Sequence, residues 1–504
     1  MRVEIMDTTL RDGEQTSGVA FTASEKLNLA KILLEEVKVD RIEVASARIS
    51  EGEFEGVKKI TSWAADKGLL DRVEVLGFVD GQKSLDWILA SGAKVVNLLC
   101  KGSLNHLQGQ LRKTPEQHIA DIKSSIAYAQ QLGIRVNLYL EDWSNGMRHS
   151  SEYVFQIIEA LRREPIQRFM LPDTLGILYP DEITFFFRQM TETFPELHFD
   201  CHTHNDYDLA TANVLAAVRA GAKGTHTTVN GLGERAGNAP LGSVVAVLKD
   251  HAQAEIHIDE TKLKKISRMV EAFAGMRIPT NEPVIGENVF TQTCGVHADG
   301  DKKGNLYVSE LTPERFGRER KYALGKTSGK ASIAKNLEEL GIELSPESMV
   351  KVTHRVVELG DKKENITPED LPYIISDVLG SEVIKEKIKI HNYYVCHVHN
   401  LKPTATLSIE INGKVYEASS NGDGQYDAFM KALKKIYKSL DRKIPKLIDY
   451  NVSIPPGGRT DALVETTITW ANDREFKTRG LDSDQASAAI KATLKMLNLI
   501  EKEE

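Results

Sequence analysis

His202-Thr203-His204 sets two imidazoles one residue apart. On an extended strand alternate side chains share a face, so both rings can reach one cation. A carboxylate from the early loop that holds Arg11 and Asp12, with an amide from the segment Asn230 to Asn238, would add oxygen ligands. That mixed nitrogen and oxygen set suits a divalent ion such as Mg, Mn or Zn. A 2-oxo acid chelated through its carboxylate and ketone oxygens would become electrophilic at the carbonyl carbon, and Arg11 would steady the developing alkoxide. The plainer readings are two hydrogen-bonded histidines and an arginine in an ordinary ion pair.

These residues need a scaffold that gathers them. From the start to about residue 275, short apolar or β-branched runs alternate with helical patterns, and eight runs qualify as strands: Val3 to Asp7, Arg41 to Val44, Val73 to Phe78, Val95 to Leu99, Val136 to Glu141, Phe169 to Asp173, His198 to His202 and Gly224 to Val229. Thr22 and Glu25 have capping-box spacing before Leu27, Leu29, Ala30, Leu33 and Leu34, which recur at helical intervals. Repetition of such units implies a parallel sheet, either a closed (β/α)8 TIM barrel or an open doubly wound sheet. Polar residues at the carboxyl ends favour the barrel, which brings all of those ends to one mouth: Arg11 and Asp12, Glu141, Asp173 and Thr174, His202 and His204, and the Asn230 to Asn238 stretch.

Composition narrows the function. The 504 residues, 41% hydrophobic, exceed one compact domain, and 64 basic against 72 acidic side chains give a net charge of -8 without a basic cluster. Small-molecule chemistry fits better than nucleic-acid binding. Cys100, Cys201, Cys294 and Cys396 form no C-x-x-C pair, which suggests a reducing, cytoplasmic setting. No apolar run approaches the roughly 20 residues of a membrane span, and the first residues do not read as a signal peptide.

DTTLRDGEQ (Asp7 to Gln15), HTHNDYDLATAN (His202 to Asn213) and NGLGERAGNAPL (Asn230 to Leu241) resemble the signatures of the isopropylmalate, homocitrate and citramalate synthases, a barrel family of Claisen-type condensing enzymes. The resemblance implies metal ligands at Asp12, His202, His204 and Asn238, and oxo-acid-orienting residues at Arg11, Glu141 and Thr174. TQTCGVHADGDKKGNLY (Thr291 to Tyr307) is similar to the family segment that reaches over the partner subunit's barrel, which implies a homodimer. His297 there matches a residue implicated with a carboxylate in deprotonating the acetyl methyl. Asp299, Asn305, Leu306 and Tyr307 fall in the part associated with acetyl-CoA, Tyr307 also being a candidate catalytic group.

Within the family the oxo acid is chosen by pocket volume, and the positions near its tail align to Leu76, Leu99 and Tyr139. Large side chains at all three leave room for one methyl group, since overfilling a pocket costs roughly 1 to 3 kcal/mol. Pyruvate is therefore preferred over 2-oxoisovalerate, with citramalate as product. YLEDWSNG (Tyr139 to Gly146) and IPPGGRTDALVET (Ile454 to Thr466) extend the similarity to spirochaete-type citramalate synthases along nearly the whole chain.

After the barrel, residues 276-389 read as a linker with helical subdomains. Their GKTSGKAS lacks the spacing of a phosphate loop. Residues 390-504 alternate strands with two helices, Thr406 to Ile411, an Asn412-Gly413 turn, Val415 to Ala418 and Ala462 to Trp470 among the strands, as a twofold repeat. This tail resembles the family's regulatory domain, which implies inhibition by an end-product amino acid, isoleucine for a citramalate synthase or leucine for an isopropylmalate synthase. Asp423, Tyr426 and Asp461 lie in turn-rich segments that could line its site. A barrel lyase or aldolase would need no such tail, and a non-catalytic amino-acid sensor would not need the intact barrel residues.

Overall fold

The computed structural model describes residues 1–293, 300, 304, 306–340, 342–361, 366–379, 387–454, 464–472 and 474–501. They fall into two compact units, Met1–Phe290 with Val308–Arg320, and Thr291–Tyr307 with Lys321–Glu504.

The first unit is a closed parallel barrel of eight strands in sequential order: β1 (Glu4–Asp7), β2 (Arg41–Ser46), β3 (Val73–Phe78), β4 (Val95–Lys101), β5 (Arg135–Glu141), β6 (Ile166–Asp173), β7 (Phe199–Thr203) and β8 (Gly224–Thr227). The pairing of β1 with β8, Asp7 opposite Thr227, closes the ring and excludes the open sheet. All eight expected runs form strands, Val73–Phe78 unchanged and the others with ends shifted by one to three residues. Each is near-continuously buried because helices cover the outside while side chains fill the inside. The first helix, Ala23–Lys31, starts with the expected box, Thr22 accepting from the Glu25 N–H and Glu25 from the Thr22 N–H.

The barrel interior is unusually polar. Arg41 bonds Glu74 and Asp200, and Glu43 accepts from Asn97, which in turn accepts from Asn137. All six residues are buried. Such groups are tolerated because each finds a partner on another strand; an isolated one would cost roughly several kcal/mol.

The second unit carries two cores. Helices Lys330–Glu339, Pro346–Asp361 and Leu371–Leu379 pack around Ile333, Leu337, Val352, Val356 and Ile375. The carboxy-terminal part repeats three antiparallel strands and a helix: Ile388–Cys396, Thr404–Ile411 and Lys414–Asn421 before Gln425–Ser439, then Lys446–Ser453, Val464–Ala471 and Glu475–Asp482 before Gln485–Ile500. Leu407, Phe429, Leu433, Ile468, Trp470 and Met496 belong to a single core across the two repeats. Asn412 and Gly413 both take positive φ, 50° and 80°, as a two-residue hairpin turn requires. Three of these strands, Ile388–Cys396, Lys446–Ser453 and Glu475–Asp482, are additions to the sequence reading. Among the described residues no helix is long and apolar enough to cross a membrane.

Candidate active site

The loop after β1 is a tight knot. Thr8 O accepts from the N–H groups of Arg11, Asp12 and Gly13, and Asp7 accepts from Thr9 N–H. Lys26, itself buried, clamps the knot from behind: its ammonium donates to Leu10 O and Val44 O and pairs with Glu14 and Glu53. Arg11 and Asp12 are thereby fixed at the mouth.

Arg11 lies between two carboxylates. Its Nε and Nη2 each stand 2.7 Å from Glu43 Oε2, and its Nη1 is 3.3 Å from Asp12 Oδ2. Burial disfavours the guanidinium charge, but Asp12 and Glu43 outweigh it and hold Arg11 protonated. Burial likewise raises the Asp12 pKa, yet Arg11 and the His202 hydrogen bond outweigh that and keep the carboxylate well below its usual range.

Strand β7 brings the two histidines to the same place. Asp12 Oδ2 is 3.2 Å from His202 Nε2, which is 3.3 Å from His204 Nε2. The ligand atoms of all three residues lie within 4.8 Å of one another. Neighbouring donors bound to one ion at roughly 2.0 to 2.2 Å stand about 3.0 to 3.5 Å apart, so this spacing fits a shared centre. Burial lowers the pKa of both rings, that of His204 to about 4, which leaves neutral imidazoles with lone pairs to offer. Asp12 Oδ1 and Asn238 Oδ1 are buried without hydrogen-bond partners, so both oxygens can serve as cation ligands.

Asn238 reaches the cluster through backbone pairing with His204, while its amide N–H donates to Leu232 O. The glycines of its loop make the approach feasible. A Cβ on Gly237, whose φ is 89°, would fall 2.0 Å from Gly231 O, and one on Gly233 would fall 2.2 Å from the Asn238 amide nitrogen. Arg235 bonds both oxygens of Asp206 and also Thr174 O, tying together the loops after β8, β7 and β6.

Of the remaining oxo-acid candidates, Tyr139 touches this centre, and Leu76 and Leu99 pack with it. Leu76, Tyr139, Met6 and Met170 form one small apolar cluster inside the barrel, with Leu99 packed against it. The Tyr139 ring meets His202 edge-on at 5.6 Å, and Arg11 lies 5.9 Å from its centroid. Register puts Leu99 beside Tyr139 and Lys101 beside Glu141. Glu141 forms an ion pair with Lys101, a partner the sequence did not suggest. Thr174 Oγ1 accepts from Asp142 N–H.

The structure thus brings Arg11, Asp12, His202, His204, Asn238, Leu76, Leu99 and Tyr139 together within one unit. His297, Asp299, Asn305 and Asp461 lie outside the described residues. Leu306 and Tyr307 are exposed and belong to the second unit. Asp423 is exposed and faces Lys402 and Lys431, whereas the Tyr426 hydroxyl bonds Thr493 and its ring packs against Tyr450. Glu43, Lys26, His226 and Asp200 escaped the sequence reading. For Glu43, His226 and Asp200 the signal was present as charged or polar residues inside otherwise apolar barrel strands, whereas Lys26 lies on the first helix, where a lysine gives no such contrast.

Comparison with known proteins agrees with this arrangement. The HMGL-like family matches residues 2–270, the homocitrate synthase post-HMGL domain-like family 284–364, and the LeuA allosteric (dimerisation) domain 365–501. The (R)-citramalate synthase of Methanocaldococcus jannaschii is 34% identical over 504 residues, covering 99% of this chain and 100% of that protein. The 2-isopropylmalate synthase of the same organism is 33% identical over 506 residues, covering 99% of this chain and 95% of that one. The chain belongs to the citramalate and 2-isopropylmalate synthase family. Members are condensing synthases that use acyl-CoA, and the carboxy-terminal domain is the family's allosteric module.

Proposed function

We propose that the chain is an (R)-citramalate synthase, a divalent-metal-dependent acyltransferase that condenses acetyl-CoA with pyruvate and hydrolyses the resulting thioester to citramalate and CoA. The observation that carries this reading is the apolar wall of Leu76, Leu99, Tyr139, Met6 and Met170 beside the Asp12 and histidine cluster. A ketone held at the cluster would have its substituent facing that wall, which suits a methyl group better than a branched chain.

Asp12, His202, His204 and Asn238 would hold the cation, and Arg11 and Thr174 would orient the oxo acid. When bound, a divalent ion supplies Lewis-acid polarisation of the ketone. Arg11, kept charged by Glu43, donates to the oxygen as negative charge grows on it. Glu141 with His297 removes a methyl proton from acetyl-CoA, the resulting carbanion equivalent adds to the ketone carbon, and water then cleaves the citramalyl thioester. Asp299, Asn305, Leu306 and Tyr307 would handle acetyl-CoA from a partner subunit in a cytoplasmic homodimer. Isoleucine, bound near Asp423, Tyr426 and Asp461, would inhibit.

The second reading is a 2-isopropylmalate synthase acting on 2-oxoisovalerate and inhibited by leucine. It is favoured by the near-equal identity to the relative of that name. Release of free CoA with each oxo acid separates the two. The proposal expects a higher kcat/KM with pyruvate; a higher value with 2-oxoisovalerate assigns the chain to the second reading.

A further inference from the structure

Three members of the wall beside the metal cluster, Met6, Leu76 and Met170, are flexible, and methionine in particular adapts to whatever packs on it. Tyr139 is the stiff one, but the final torsion of a phenol ring is broad, so packing alone does not set its tilt. Its hydroxyl is tethered. Tyr139 Oη is 2.9 Å from His226 Nδ1, and His226 Nε2 is 3.1 Å from Asp200 Oδ2.

This chain has a defined direction. An ionised carboxylate only accepts, so the ring proton of a neutral His226 lies on Nε2, Nδ1 accepts, and the phenol donates. Asp200 is held in turn by Arg41 Nη2 at 2.6 Å and by His198 Nε2 at 2.9 Å from its other oxygen. Tyr139, His226 and Asp200 are all buried, and they come from β5, β8 and β7. None of the condensation steps uses His226 or Asp200.

We infer that His226 is a positioning residue for substrate size: anchored by Asp200, it pins the Tyr139 ring as a fixed stop against the oxo-acid tail. This rests on Tyr139 lining the oxo-acid pocket, as proposed above. Without the tether the ring tilts, the methionines readjust, and bulkier oxo acids gain entry.

The test is kcat/KM for pyruvate, 2-oxobutanoate and 2-oxoisovalerate with wild type, H226F, H226Q and Y139F. One methylene is worth roughly 10- to 200-fold in an apolar pocket, so H226F is expected to shift the branched-to-pyruvate ratio at least about 10-fold toward the branched acid, mainly through the oxo-acid KM. H226Q, whose amide can donate to Asp200 and accept from the phenol, keeps the wild-type ratio. An unchanged ratio in H226F, or equal losses with every acid, overturns the inference. Should H226F fail to fold, Y139F decides, because it deletes only the hydroxyl: a shifted ratio supports the tether and an unshifted one overturns it. A wild type preferring the branched acid removes the pyruvate reading alone, since the change between variant and wild type is still read. Independently of turnover, 15N-histidine spectra should show the resonance missing from H226Q with its proton on Nε2 and an Nδ1 shift altered by Y139F. A proton on Nδ1 overturns the inference.

Discussion

Substituting Glu43 offers a handle on Arg11 while leaving every side chain assigned to metal or substrate in place. Its carboxylate accepts from Thr8 Oγ1 at 2.7 Å, from Arg11 Nε and Nη2 at 2.7 Å each, and from Asn97 Nδ2 at 2.8 Å. Burial opposes its charge, but Arg11, Asn97 and Thr8 together hold its pKa below the ordinary value. Glu43→Gln keeps the shape, removes the charge and turns one acceptor into a donor facing other donors. Breaking a buried pair costs roughly 3 to 5 kcal/mol, and the retained amide oxygen recovers part of this, so a loss of about 3 kcal/mol is expected. For a large domain that corresponds to a Tm lower by roughly 6 to 12 °C. Because Arg11 would then lean toward Asp12 alone, the ketone's partner is misplaced, and a displacement of about 1 Å costs on the order of 100-fold in kcat/KM. Differential scanning calorimetry and a CoA-release assay measure both effects. A variant within threefold of wild type in kcat/KM and within 2 °C in Tm would refute the idea that Glu43 holds Arg11 in place, these thresholds being about the noise of such comparisons.

Two further outcomes are expected. Burial raises the Asp7 pKa to about 7, the Thr9 contacts only partly opposing it, and its Oδ2 has no partner. The folded state therefore keeps a proton that the unfolded chain releases above about 4, and stability from this group falls as pH rises through that window toward 7. Asp7→Asn should raise stability more at pH 8 than at pH 5, by a difference on the order of 2 to 3 kcal/mol, and equal effects in denaturant titrations at the two pH values would contradict it. Isoleucine should lower the rate of CoA release with pyruvate while leucine does so less; indifference to both would remove the assigned regulation.

Much of the barrel was legible because parallel strands buried on both faces read as Val, Ile and Leu runs, and because their polar carboxyl ends mark the mouth. The pair His202 and His204 was legible from strand periodicity alone. Its meeting with Asp12 depends on β7 and β1 being brought near each other by closure, which no local pattern encodes; the motif resemblance supplied that link. The Arg41 to Asp200 contact spans 159 positions and the Tyr139 to His226 contact 87, so the interior network was invisible in sequence. The strands Ile388–Cys396 and Lys446–Ser453 were missed for another reason. Each is largely exposed, with polar residues such as His391, Asn392, Asp449 and Asn451 breaking the apolar alternation. Lys101 was overlooked because a lysine ending a strand reads as solvated, whereas here it is buried against Glu141.

A divalent ion shared by Asp12, His202 and His204 is the centre of the proposed chemistry. Calorimetric titration of Mn2+ into metal-free protein tests this most directly, with wild type beside His202→Ala and CoA release followed in parallel. Wild type should bind one ion per chain and turn over only when loaded, while the variant loses both the binding and the turnover. Unchanged Mn2+ binding in the variant, or full turnover of the metal-free wild type, would contradict the assignment.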